Sequence, residues 1–94
     1  MVEKAVAAEP ANPSYRDSLG WGYYQVGRYA EAVRELSLAA EKDASGVIFD
    51  HLGDALQKAG EFAKARGAWQ KAAAAFEKDG EKEKLAAVKK KLQE

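Results

Sequence analysis

The sequence repeats itself at an offset of 33 residues. Asp17, Leu19, Gly20, Gly27, Ala30, Ala32, Ala39 and Ala40 recur as Asp50, Leu52, Gly53, Gly60, Ala63, Ala65, Ala72 and Ala73. These are eight identities in the 24 positions from 17 to 40, where so Ala-rich a chain gives on the order of two by chance. The pairs Tyr29/Phe62, Tyr23/Leu56 and Leu36/Trp69 extend the match conservatively. An earlier echo places Ala5 one period before Ala39, so residues 1 to 11 read as the tail of a preceding unit. A period of this length means one supersecondary unit that buries its apolar face by stacking on a copy of itself.

What the unit is made of follows from residue types. Two Pro and eight Gly sit among many Ala, Leu, Glu and Lys, and few β-branched residues interrupt them, so the chain is read as all-α. Its 94 residues suffice for one small domain and not for two separate cores. Fifteen basic residues balance fifteen acidic ones, so no whole-chain field steers it to nucleic acid. With no cysteine and one histidine, thiolate metal clusters, cysteine nucleophiles and most catalytic constellations are excluded. No apolar run approaches the roughly 20 residues of a membrane span, and the first ten residues lack the apolar stretch of a signal peptide. The expected location is therefore the cytoplasmic default, with any targeting segment of a longer parent lying outside this chain.

Each unit reads as two helices joined by a tight turn. Asn12 caps the first helix and Pro13 fits its first position, where a missing N–H costs nothing. Tyr15, Leu19, Tyr23 and Val26 share a face, and Gly27 supplies the left-handed stop. Tyr29, Ala32, Leu36 and Ala39 then form the buried stripe of the second helix. In the second unit Ser45 is the cap, Phe49, Leu52, Leu56 and Ala59 face inward, and Gly60 ends the helix. Phe62, Ala65, Trp69, Ala72 and Phe76 continue at helical spacing until Asp79-Gly80. A fifth, strongly charged helix carries Leu85, Val88 and Leu92 on one side, with Lys82, Glu83, Lys84, Lys89, Lys90 and Lys91 outside that stripe.

These residues resemble the tetratricopeptide repeat, a helix-turn-helix unit of about 34 residues. The resemblance rests on Leu19-Gly20, Tyr23, Gly27-Arg28-Tyr29, Ala32 and Ala39 in one unit and on Leu52-Gly53, Leu56, Gly60-Glu61-Phe62, Ala65 and Ala72 in the next. It departs where the family's early aromatic is Arg16, and where its closing proline is Ala44 and then Glu77. The resemblance implies antiparallel helix pairs stacked as a right-handed α-solenoid. Residues 1–11 then end a preceding repeat, 12–44 and 45–78 are two repeats, and 79–94 form a capping helix.

Candidate chemistry is sparse. Gly20-Trp21-Gly22 is no phosphate loop, since no strand precedes it and the next glycine position holds Gln25. Asp50, His51 and Asp54 fall short of a metal site or a base with its nucleophile. The expectation there is an Asp54–Lys58 pair at i,i+4, with His51 on a half-exposed flank. Lys89-Lys90-Lys91 is expected to be a solvated face. No catalytic group, cofactor or metal ligand is expected.

The resemblance implies instead an inner groove lined by the first helix of each unit. By position this points to Asp17, Trp21, Tyr24, Gln25, Asp50, Asp54, Gln57 and Lys58 as partner-binding residues. Trp21 and Tyr24 lie off the packing stripe; they serve as groove anchors or, for Trp21 equally, as packing against a neighbouring helix. Relatives that clamp acidic tails use Lys, Arg and Asn here, whereas this chain has Asp17, Asp50 and Asp54. A peptide or protein partner of neutral to basic charge with an apolar anchor is therefore expected. The alternative is a structural segment of a longer scaffold, self-associating through an N-terminal edge formed by Tyr15, Leu19 and the Ala5/Val6 face.

Overall fold

The computed structural model describes residues 12–93. Among these residues five helices follow one another: α1 Pro13–Gln25, α2 Tyr29–Lys42, α3 Gly46–Lys58, α4 Phe62–Asp79 and α5 Lys82–Gln93. No strand occurs among the described residues, so the all-α reading holds. The proposed tail at residues 1–11 lies outside the described region.

Local chemistry sets the helix ends. Asn12 Oδ1 accepts from the backbone N–H of Ser14 at 2.9 Å with Pro13 at the first turn, and Ser45 Oγ accepts from Ile48 N at 3.3 Å. These bonds satisfy donors that the first turn leaves without partners. At the other end, Gly27 and Gly60 adopt φ of 84° and 85°. Gly27 N bonds to Tyr24 O and Arg28 N to Tyr23 O; Gly60 N bonds to Gln57 O and Glu61 N to Leu56 O. The same pair of hydrogen bonds forms at Gly80, from Gly80 N to Glu77 O and from Glu81 N to Phe76 O. Each is a left-handed glycine stop of the Schellman kind, which turns the chain within three residues and sends the next helix back along the last.

Every helix packs chiefly on its neighbours in sequence, most extensively α3 on α4 and α1 on α2, while α1 and α3 touch lightly. The core is the line of Ala32, Leu36, Leu52, Ala55, Leu56, Ala65, Ala68, Trp69, Ala72, Phe76 and Val88. Small residues bring the helices together. A Cβ on Gly20 would lie 2.7 Å from Leu36 Cγ, and one on Gly53 would overlap the Trp69 indole. The two contacts are related by the 33-residue offset on both sides, so the same close approach is built twice with a larger filler in the second unit.

Three stripe assignments are corrected. Val26 is 71% exposed because it caps α1 at φ −96°, ψ 7° and has left the helical face. Phe62 is 64% exposed, although it opens the stripe that Ala65, Trp69, Ala72 and Phe76 bury. Ala59, the C-cap of α3, is also exposed, while Ile48 is buried beside Leu52 in the inward face. Leu19, expected to lie open at the N-terminal edge, is buried; Tyr15 is 38% exposed. Ala5 and Val6 of that edge lie outside the described residues.

Candidate partner-binding groove

The first helix of each pair carries its polar and aromatic side chains on one face, and the structure joins them into a continuous band. On α1, Trp21 and Tyr24 stand one turn apart and stack with ring centroids 4.5 Å apart and planes 5° from parallel. His51 of α3 stacks on the same Trp21 at 4.2 Å, and its Nδ1 donates to Asp17 Oδ1 on α1 at 2.9 Å. Tyr24 in turn meets the edge of Tyr29, with centroids 5.7 Å apart and planes inclined by 62°. Trp21 thus stacks on side chains of both α1 and α3. It packs between elements, and it remains only half-buried.

The band continues toward α5 through charge. Lys91 Nζ donates to Asp50 Oδ1 at 2.8 Å and to Asp54 Oδ1 and Oδ2 at 3.0 and 3.2 Å. Asp54 Oδ1 also accepts from Trp69 Nε1 at 3.2 Å. This corrects two sequence expectations. Asp54 takes Lys91 and not Lys58 as its partner, because α5 delivers an ammonium directly over the Asp50/Asp54 face while Lys58 ends α3 exposed. Lys91 therefore leaves the solvated lysine run, where Lys89 and Lys90 remain exposed.

Burial and charge pull in opposite directions here. At Asp54, loss of solvent outweighs the hydrogen bond and charge of Lys91, with Asp50 adding repulsion, so its carboxyl lies above the ordinary 3.8. At Lys91 burial opposes the ammonium, but the hydrogen bonds and charges of Asp50 and Asp54 prevail and hold it above 10.5. Both partners are raised, since burial dominates for the single carboxylate whereas two carboxylates act on the one ammonium. Tyr24 is also raised above 10.0, first by burial and then by the negative charge of Asp54 and by Tyr29. That influence of Asp54 on Tyr24 links the aromatic and charged halves.

Of the eight sequence candidates, Asp17, Trp21, Tyr24, Asp50 and Asp54 belong to this band. Gln57 lines a cavity of about 310 Å³ beside it, together with Phe62, Ala65, Arg66, Trp69 and Lys91. Gln25 and Lys58, the last residues of α1 and α3, are exposed and lie outside the network. Sequence reasoning left out Lys91, Trp69, Phe62 and Arg66, and kept His51 apart from Asp17. The 33-residue offset carried a signal for the cavity: its six lining residues correspond to Tyr24, Tyr29, Ala32, Val33, Leu36 and Lys58, with Gln57 where Tyr24 supplies a ring.

Among the described residues no group of three or more His, Cys, Asp or Glu side chains could hold a metal ion, and no helix is long and apolar enough to cross a membrane. The fold and this face define a small all-α domain whose described residues form five packed helices with a half-exposed aromatic and charged band. No protein-family model and no curated protein matches the chain. Among solved structures it is similar to protein BPP2914 from Bordetella parapertussis, determined in solution, with a TM-score of 0.81 and 28% identity over 98% of this chain and 81% of that one.

Proposed function

We propose that the chain is a non-enzymatic interaction module of the tetratricopeptide kind, a right-handed array of two helix pairs closed by α5, which holds a peptide or helix of another protein against the face shared by α1, α3 and α5. The observation that carries this reading is the band itself. Aromatic rings and ionic groups from three helices converge on one side, half-exposed, where a domain concerned only with packing has no need of them. The repeated Gly20/Leu36 and Gly53/Trp69 contacts and the repeated glycine stops support the array. Three carboxylates against one ammonium leave the face acidic, which favours a neutral to basic partner. Selection of a displayed random-peptide library on the immobilised chain tests the proposal. Enriched peptides should lose binding to Trp21→Ala and Tyr24→Ala variants and carry neutral to basic charge. Enrichment of acidic peptides, or peptides indifferent to both variants, refutes it.

A structural role with self-association through the N-terminal edge has one observation in its favour, the exposure of Tyr15. Sedimentation as a strict monomer at high concentration removes that reading.

A further inference from the structure

We infer that the cavity between α3, α4 and α5 is a docking pocket for a single aromatic side chain of the partner, supplying in the second unit the ring that Tyr24 supplies in the first. The chain itself shows the filled form. In the first unit Tyr24 lies edge to face with Tyr29, and Tyr24 and Val33 pack against the core that holds Ala32 and Leu36. In the second unit the Tyr29 equivalent is Phe62 and the Tyr24 equivalent is Gln57. The ring is missing, Phe62 stands 64% exposed, and about 310 Å³ is left open. That volume is at the low end for ligand pockets, suited to one side chain and too small for a helix.

Charge selects among side chains. Arg66 and Lys91 are the charged residues that line the cavity, and both are cations. Arg66 Nη1 donates to the backbone oxygen of Leu92 at 2.7 Å and has no carboxylate partner among the described residues, whereas Lys91 Nζ, held by Asp50 and Asp54, lies 6.0 Å from the Trp69 ring. A lysine or arginine anchor would meet Arg66 here and find Asp50 and Asp54 already engaged by Lys91. The negative face of an aromatic ring is attracted to both cations and packs on Phe62 and Trp69 as well. The basic residues expected of the partner then fall beside the ring, over Asp17 and Asp50, and not within the pocket.

The inference rests on the groove reading, but a small probe examines the pocket alone. N-acetyl-tyrosinamide titrated into the full chain should give a saturable shift of the Trp69 indole N–H resonance in two-dimensional NMR, with a dissociation constant on the order of millimolar. N-acetyl-leucinamide should bind at least about fivefold more weakly, since it lacks the ring that contacts cations and aromatics. Gln57→Tyr restores the ring internally and should abolish the shift. Phe62→Ala, at an exposed side chain that does not threaten folding, should weaken it severalfold. Absence of saturation, equal binding of leucinamide, or undiminished binding to Gln57→Tyr overturns the inference. Tyrosinamide binding that meets these criteria upholds it even if the peptide library yields nothing, in which case the groove reading alone fails.

Discussion

The paired close approaches of the two units yield a prediction in which one chemical change has opposite signs at packed and at open helical positions. Gly→Ala in a helix interior gains about 0.8–1.0 kcal/mol from backbone propensity wherever the new methyl group has room. At Gly22 and Gly67 nothing lies within 4 Å of the added Cβ, so Gly22→Ala and Gly67→Ala should each stabilise by roughly 0.5–1 kcal/mol. At Gly53 the methyl overlaps the indole of Trp69, which is 3% exposed and held by core neighbours and its bond to Asp54. Overpacking costs about 1–3 kcal/mol and at a rigid buried ring sits in the upper part of that range. After the propensity gain, Gly53→Ala should lose about 1–2 kcal/mol. Gly20→Ala, meeting the more mobile Leu36 side chain, should lose less. Urea denaturation followed by Trp fluorescence and by helical circular dichroism measures all four, and in a domain of this size 1 kcal/mol moves the melting temperature by about 4–8 °C. A Gly53→Ala variant as stable as the parent, or a Gly22→Ala variant less stable, refutes the close-packing argument.

Other outcomes follow from the same geometry. Gly60→Ala should cost about 1–2 kcal/mol through backbone strain alone, because φ is 85° and the space around it is open; a thermal melt unchanged from the parent contradicts this. Lys91→Met keeps the apolar stem but leaves Asp50 and Asp54 without their ammonium, and should cost about 1–2 kcal/mol, less than a fully buried pair since all three groups retain solvent contact. A double-mutant cycle with Asp54→Asn measures the coupling, and additive losses disprove it. Tyr24 and Lys91 both hold their protons more tightly folded than unfolded. Their contribution is complete below about pH 10 and is lost as pH rises through the folded values, so melting temperature should fall above pH 10 and fall less steeply in Lys91→Met. Asp54, also raised, works the same way at the acid end: its protonation favours the folded state as pH drops toward 3.8.

What could be read from residue order was local chemistry. Asn12 and Ser45 announce helix starts, and Gly27 and Gly60 announce turns, because each acts on backbone groups within a few residues. The stripes of α2 and α4 were legible through Ala32, Leu36, Ala39, Ala65, Trp69, Ala72 and Phe76, whose spacing matches the helical period. Periodicity failed at element ends. Val26 keeps the spacing but not the helical backbone, and Phe62 keeps both but has Gln57 across from it. The ion pairs between helices were illegible for a different reason. An i,i+4 rule finds Asp54–Lys58, while the real partner, Lys91, lies 37 positions along and arrives through the packing of α5. Asp17–His51 spans 34 positions and Arg16–Glu35 spans 19, distances at which only the folded path brings side chains together.

Lys91 has a consequence for how the domain opens. Most contacts among the described residues join consecutive helices, so α5 is held largely by α4, and an element held by a single neighbour opens at lower free energy than the core. Lys91 reaches past α4 to α3, tying the last helix to the middle of the chain. That link makes release of α5 coincide with exposure of two unpaired carboxylates at the centre of the face. Helix α5 is thereby enlisted in the cooperativity of α3, and the face proposed for a partner keeps its charge pairing only while α5 stays in place.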